Sequence, residues 1–206
     1  MAARGNIYRR QVAELPPRYR RIMDADSIAI GGREWRVIAG YGHAPEHASL
    51  YCEELGLLIA GDMLLPRIST NVSVWPVDPQ GDPLGLFLRS IRRYRELPAA
   101  TLVLPSHGLP FRGAHARVTQ LEQHHEGRLA ELLEACRAAP RSAADVLEIL
   151  FRRTLDAHQM FFAMGEAIAH LHFLERAGSL RRSVGADGVA RFAPAREKAW
   201  KSALTA

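Results

Sequence analysis

Short apolar runs separated by glycine-containing turns dominate residues 27–60 and predict a β-sheet. The runs at Ser27–Ile30 and at residues 34–39 flank Gly31 and Gly32, an arrangement typical of a β-hairpin. Three further runs are short and continuous, as in buried strands: residues 48–52, 57–60 and 101–104. The pattern therefore predicts five strands, with the last one well separated from the others.

Helical periodicity occupies the stretches around these strands. Residues 84–97 carry apolar side chains at a spacing of three and four, and residues 114–138 repeat that spacing over a longer stretch. Residues 8–23 are interpreted as a helix followed by a loop, with a break at Pro16 and Pro17. Since strands alternate with helices, we predict a layered α/β domain.

The pattern changes at residues 139–142, which form a linker with Ser142 as a helix N-cap. Two helices are predicted beyond it, over residues 143–151 and 161–177, and Gly178 ends the second. A hairpin of residues 180–184 and 189–192 follows. Helices followed by a hairpin have the outline of a winged helix. We therefore divide the chain into a domain at residues 1–138, a winged-helix-like domain at 139–195 and a tail at 196–206.

Composition narrows the class of protein. The chain has 206 residues, of which 48% are hydrophobic and 24% charged, and this balance excludes disordered, collagenous and coiled-coil proteins. Its two cysteines fit a reducing compartment, and its first residues lack the apolar region of a secretory signal, so we expect a cytoplasmic location. Most of the net charge of +5 lies in residues 137–206, where an anionic partner would bind.

Polar side chains suited to metal binding follow three of the predicted strands. His43 and His47 lie in the loop after residues 34–39, Asp62 follows residues 57–60, and His107 follows residues 101–104. Strand ends are where α/β folds place active sites, because the sheet fixes the direction of each side chain. Imidazole nitrogens and carboxylate oxygens are ligands that Zn²⁺ accepts. These residues predict a zinc-dependent site that holds a reactive water molecule.

The same residues resemble the downstream motifs of a known family. The segment Gly42-His43-Ala44-Pro45-Glu46-His47, then Gly61-Asp62, then Pro105-Ser106-His107-Gly108 look like those of the metallo-β-lactamase-fold hydrolases. That superfamily includes glyoxalase II-like thioesterases and a β-lactamase-like endoribonuclease. The resemblance covers roughly residues 25–195, since the winged-helix-like tail matches one branch of the superfamily.

The resemblance implies a role for each residue. His43 would complete the first metal site, Asp62 would be catalytic and bridge two metals, and His107 would belong to the second site. His47 would orient a ligand or its loop, and Arg67 would hold an anionic part of a small-molecule substrate. The implied cofactor is zinc, as one or two ions. The implied reaction is attack by a metal-bound hydroxide on an ester, a thioester or an amide.

One family signature is absent. No His-x-His-x-Asp-His occurs in the chain, although the family takes most of its metal ligands from that motif. The chain therefore resembles the carboxyl-terminal half of the αββα sandwich followed by its tail. A truncated gene, a misassigned start and an excised segment are all compatible. The uncovered sheet face of such a half would make the chain a homo-oligomer or dependent on the missing half, and its activity would be incomplete or absent.

Other interpretations remain open. The first is a nucleic-acid-binding or nuclease-like protein that uses Arg176, Arg181 and Arg182 near the predicted hairpin. The second is an inactive fragment that serves only in oligomerisation. The remaining histidines are interpreted as structural: His115, His124 and His125 on a solvated helix face, and His170 and His172 on different faces of one helix.

Overall fold

The computed structural model describes residues 16–195. The predicted helix at residues 8–15 and the tail at 196–206 lie outside this range. A five-stranded sheet has the order β1-β2-β3-β4-β5. Its strands are β1 (Ser27–Ile30), β2 (Arg33–Gly40), β3 (His47–Cys52), β4 (Leu57–Gly61) and β5 (Leu102–Pro105).

The sheet is mixed, and this determines which strand ends meet. Strands β1 to β4 pair antiparallel, while β5 pairs parallel with β4. A parallel neighbour requires a long connection, and residues 62–101 provide it. The carboxyl ends of β4 and β5 therefore lie at the same edge of the sheet, which confirms a layered α/β arrangement.

Helices cover one face of the sheet and make up much of the chain between residues 83 and 176. They are α1 (Pro83–Arg92), α2 (Ala114–Ala138), α3 (Leu147–Leu150) and α4 (Ala157–Arg176), with 3-10 turns at Arg93–Glu96 and Ala144–Val146. A hairpin of β6 (Leu180–Val184) and β7 (Ala190–Pro194) follows α4. No helix among residues 16–195 has the length and apolarity to cross a membrane.

Local sequence explains where the helices start and stop. Asp82 caps α1 by accepting a hydrogen bond from the Gly85 amide at 3.0 Å, and Pro83 takes the first position, where its missing N–H costs nothing. Asp156 and Gln159 form a capping box on α4. Gly178 follows α4 with φ 73°, the left-handed conformation that glycine adopts most readily.

One hydrophobic cluster joins the sheet to the helices. Leu58 and Val103 from the sheet pack in the same cluster as Phe87 of α1, and the cluster continues to Leu171 of α4 and Phe192 of β7. The hairpin and α4 are thus packed onto the same core as the sheet. The division at residue 139 and the winged-helix description stay predictions.

Several predicted boundaries shift. Residues 84–97 form α1 and a 3-10 turn rather than one helix, and residues 143–151 contain only a 3-10 turn and a single α turn. Helix α4 starts at Ala157, four residues before the predicted start, because the Asp156 cap precedes it. His47, predicted in a loop, is the first residue of β3 and pairs with Gly40.

Candidate active site at the edge of the sheet

Asp62 and His107 are brought together by the parallel pairing of β4 and β5. Asp62 directly follows β4, and His107 follows β5 by two residues. The Ser106 amide donates a hydrogen bond to the Gly61 carbonyl at 3.1 Å, which ties the two strand ends together. His107 Nε2 lies 3.5 Å from Asp62 Oδ1.

His43 approaches Asp62 from the loop between β2 and β3. Its Nε2 lies 3.5 Å from Asp62 Oδ2, so the two histidines face different oxygens of one carboxylate. The side chains of His43 and Asp62 are each 28% exposed, whereas that of His107 is 67% exposed. Asp62 is therefore the central member of the group, with one imidazole on each side.

A hydrogen bond sets the tautomer of His43. Its Nδ1 lies 2.8 Å from the Asn71 carbonyl oxygen, which only accepts hydrogen bonds. Nδ1 therefore carries the proton, and in the neutral ring Nε2 presents a lone pair toward Asp62. A lone pair and a carboxylate oxygen repel each other at this separation unless a cation lies between them or the ring is protonated.

His47 holds the backbone of Asp62 rather than its carboxylate. The Asp62 amide donates to His47 Nε2 at 3.4 Å, and Thr70 Oγ1 donates to the Asp62 carbonyl at 2.6 Å. Burial lowers the pKa of His47, which favours the neutral ring that can accept this bond. The Nδ1 atom of His47 is buried and has no hydrogen-bond partner among the described residues.

The chemistry of these side chains fits a divalent metal ion only in part. Nitrogen and carboxylate oxygen are suitable donors, and a cation between His43 Nε2 and Asp62 would relieve the repulsion at that contact. However, no group of three or more His, Cys, Asp or Glu side chains that could hold a metal ion occurs within residues 16–195. The described residues thus offer one imidazole per side and a shared carboxylate, not a complete ligand set.

Two cavities adjoin the group. The His107 cavity has a volume of about 460 Å³ and is lined by His107, Arg67, Ile68 and Phe111 among others. The His43 cavity has a volume of about 280 Å³ and is lined by His43, Trp75, Leu86, Asp78 and Asp82 among others. Arg67 is exposed and is one of the residues that line the His107 cavity.

Helix α4 supports this site through contacts that the sequence did not predict. The Asn71 amide nitrogen donates to Glu166 Oε2 at 3.5 Å, and burial raises the pKa of Glu166 to about 7. The Val74 amide donates to the Gly165 carbonyl at 3.0 Å, where a Cβ atom on Gly165 would stand 2.8 Å from Ser73 Cβ. The available signal was a glutamate and a glycine within the apolar sequence of α4.

One histidine prediction is wrong. His125 is fully buried rather than on a solvated face, and its Nδ1 lies 3.1 Å from His170 Nε2. Burial lowers the pKa of both rings, that of His170 to about 4, so both are neutral at pH 7. The error arose because α2 packs against α4, which hides a face that the sequence of α2 alone marks as polar. His115, by contrast, is partly exposed, and His124 is exposed.

Two of the three arginines predicted near an anionic partner have other contacts. Arg182 forms an ion pair with Glu175 at 3.3 Å and donates to Gln80 Oε1 at 2.7 Å. Arg176 donates to the Gln80 carbonyl. These bonds attach α4 and the hairpin to the loop before α1. Arg181 is exposed. Nucleic-acid binding stays a prediction.

Two family models match the chain. The model described as metallo-beta-lactamase superfamily matches residues 5–107, which include His43, Asp62 and His107. The model described as metallo-beta-lactamase-like, C-terminal domain, matches residues 129–195. Together they cover the sheet, the end of α2 and the segment that follows it.

Known proteins show the same likeness. A beta-lactamase domain protein from Burkholderia ambifaria is 55% identical with a TM-score of 0.86, over 88% of this chain and 54% of that one. A metallo-beta-lactamase family protein from Thermus thermophilus is 34% identical with a TM-score of 0.73, over 84% of this chain and 53% of that one. The probable metallo-hydrolase YqjP from Bacillus subtilis (strain 168) is 30% identical over 73% of this chain and 48% of its own length.

The chain therefore spans about half the length of these relatives. The matches confirm the resemblance and the mixed α/β fold inferred from the sequence. The chain belongs to the metallo-beta-lactamase superfamily.

Proposed function

We propose that this chain contributes to a metal-dependent hydrolase that cleaves an ester, a thioester or an amide of a small molecule. The observation that carries the proposal is the position of Asp62, which has His43 Nε2 at 3.5 Å from one oxygen and His107 Nε2 at 3.5 Å from the other. A carboxylate with an imidazole on each side suits a ligand shared between two cation positions.

The metal that we propose is zinc, which accepts this combination of donors. Asp62 would be shared, His43 would hold an ion on one side and His107 an ion on the other. When bound, zinc lowers the pKa of a water molecule toward neutrality and polarises the carbonyl oxygen of a substrate. The Asn71 carbonyl keeps the proton of His43 on Nδ1, and so leaves Nε2 available as a ligand.

The remaining metal ligands would come from outside residues 16–195. Relatives about twice as long support this, as does the lack of a three-ligand group within the described residues. We propose that they are supplied by a further segment or by a second copy of the chain. On that basis the chain alone binds zinc weakly and has low or no activity.

Arg67 is proposed to bind an anionic group of the substrate. Arg67 is exposed and lines the same cavity as His107, so a group that binds there lies next to the proposed reacting centre. The planar guanidinium matches the two oxygens of a carboxylate or the oxygens of a phosphate.

Zinc binding by the chain tests the proposal. Isothermal titration calorimetry with ZnCl₂ is compared for the unmodified chain, His43→Ala, Asp62→Asn and His107→Ala. We expect each substitution to weaken zinc binding by about tenfold or more. Asp26→Asn, which changes a carboxylate near β1, serves as the control and leaves binding unchanged. Zinc binding that is insensitive to Asp62→Asn would contradict the proposal. Residual hydrolysis of thioester, ester or lactam panels with added zinc, where it is measurable, then identifies the bond cleaved.

A further inference from the structure

The cavity lined by His107 and the cavity lined by His43 differ in charge. The His107 cavity is lined by the cation Arg67 and, among its described lining residues, by no carboxylate. The His43 cavity is lined by Asp78 and Asp82 and, among its described lining residues, by no arginine or lysine. A ligand that spans both cavities therefore meets positive charge at one end and negative charge at the other.

The wall of the His43 cavity is mainly apolar. Trp75 packs against Phe161 and Phe162 with ring centroids 5.7 and 6.1 Å apart, which fixes its indole as part of the wall. Leu86 and Val77 complete this wall, and these two residues are 39% and 89% exposed. An apolar group that enters the cavity removes this surface from water, and binding gains from that burial.

The acidic residues of the same cavity limit the charge that a ligand group bound there can have. Asp82 is committed to the α1 cap through Gly85, and Asp78 is exposed at the rim. A carboxylate on the ligand group that enters this cavity would lie near Asp78 and Asp82 and be repelled by them. The cavity therefore selects an uncharged apolar group and disfavours a dicarboxylate.

We propose that the substrate has an uncharged apolar group that binds beside Trp75 in the His43 cavity and an anionic group that binds Arg67 in the His107 cavity, with the scissile carbonyl between them near Asp62. This inference rests on the proposed hydrolase function for the reaction, but the binding geometry is independent of metal. It names the substrate class as amphiphilic monoanions rather than small polar esters or dianions.

Binding of stable amides to the metal-free chain tests the inference. Calorimetry is carried out with N-acetylglycine, N-hexanoylglycine and the uncharged N-methylhexanamide. We expect N-hexanoylglycine to bind about tenfold or more tightly than N-acetylglycine, because each buried methylene adds to affinity. We expect N-adipoylglycine, which adds a carboxylate to the acyl end, to lose this advantage and to recover part of it in Asp78→Asn.

Three substitutions assign the ends of the ligand. Trp75→Ala should reduce the preference for the hexanoyl chain to less than about threefold, and Leu86→Ala at the cavity rim should reduce it in part. Arg67→Ala should weaken both glycine amides by a similar factor, about tenfold, and leave N-methylhexanamide unaffected. Arg181→Ala and Val184→Ala, at exposed positions of the hairpin, are the matched controls, and circular dichroism confirms that each variant is folded.

The outcomes separate the two proposals. Equal affinity for the acetyl and hexanoyl compounds, or a chain-length preference that survives both Trp75→Ala and Leu86→Ala, overturns the substrate inference. Loss of chain-length preference in Arg67→Ala would also overturn it, since the two ends would then not be separate. Zinc binding that is unchanged by Asp62→Asn overturns the hydrolase proposal and leaves the results with the amides unaffected.

Discussion

Gly61 and His47 approach each other so closely that a Cβ atom on Gly61 would clash with His47 Nε2. Gly61 also has φ 54°, in the left-handed region that disfavours other residues. The absence of a side chain at residue 61 thus allows His47 to reach the Asp62 amide.

Gly61→Ala is expected to lower the free energy of unfolding by about 2–4 kcal/mol, because backbone strain and the clash with His47 add together. Gly56→Ala is the matched control, since Gly56 has φ 60° but no heavy atom within 4 Å of the position that a Cβ would take. It should cost only about 1 kcal/mol. Urea denaturation of both variants measures the difference, and equal losses would show that the clash with His47 is relieved without cost.

Ser49 and Tyr94 form a buried hydroxyl pair with their oxygens 2.7 Å apart, between β3 and the 3-10 turn after α1. Burial raises the pKa of Tyr94 to about 12, so both groups are neutral in the ordinary pH range. Tyr94→Phe and Ser49→Ala should each cost about 1–2 kcal/mol, because each leaves its partner buried without this bond. The double variant should cost less than the sum, and a double-mutant cycle in urea measures the coupling. Additive losses would mean that the two hydroxyls do not interact.

Glu166 makes the stability of the protein sensitive to pH. Its pKa is raised to about 7 by burial, above its ordinary value of 4.5, so the unfolded chain loses the proton first as pH increases. This group therefore lowers stability progressively between about pH 4.5 and 7. Glu166→Gln keeps a polar partner for Asn71 but removes the charge. Its stability relative to the unmodified protein should rise by up to about 3 kcal/mol over that interval. Denaturation curves at several pH values measure this, and a constant difference would contradict it.

His170 has the opposite effect to Glu166, because it lowers the stability of the protein as pH falls. Burial lowers its pKa to about 4 from 6.5, so the unfolded chain takes up the proton first as pH falls. Its contribution to stability is lost between about pH 6.5 and 4, by up to about 3 kcal/mol. His170→Gln should therefore flatten the acid limb of the stability profile, whereas His158→Gln, at an exposed position of α4, should leave it unchanged. Parallel acid limbs for His170→Gln and the unmodified protein would be inconsistent with a buried neutral ring.

Ile59 lies on the sheet face opposite the helices, because its neighbours Leu58 and Ala60 point into the core cluster. It is 38% exposed and is aligned with Leu50 of β3 in the register. We expect the chain to self-associate through this face, and Ile59→Lys to shift it toward monomer in sedimentation velocity experiments. Val184→Lys, on the exposed hairpin, is the control. A monomer at all concentrations before substitution would refute the expectation.

The sequence predicted the strand-end positions of Asp62 and His107 but not the contacts that support them. Asp62 and His107 follow short apolar strands, and the pattern of such strands is visible in the sequence without any knowledge of contacts. Their meeting depends on β4 and β5 being parallel neighbours, which the alternation of strands and helices made reasonable. Their order along the chain also matched the family motifs.

Long-range contacts of irregular segments were not predictable in the same way. Asn71 belongs to a stretch without periodicity, so nothing in the sequence relates it to Glu166, 95 positions away. The same reason explains His125, whose burial depends on the contact between α2 and α4 rather than on its own helix. Local periodicity reports the face a helix buries, not the second helix that covers its polar side.

The backbone hydrogen bond between Val74 and Gly165 couples helix α4 directly to the candidate site. Trp75 and Asn71 lie on either side of Val74, so a displacement of α4 would move the cavity wall and the anchor of His43 together. A deletion that removes everything after residue 138 would therefore remove the support for the sheet edge as well as the tail itself. The segment after residue 138 is therefore better regarded as part of the wall of the candidate site than as a separate attachment.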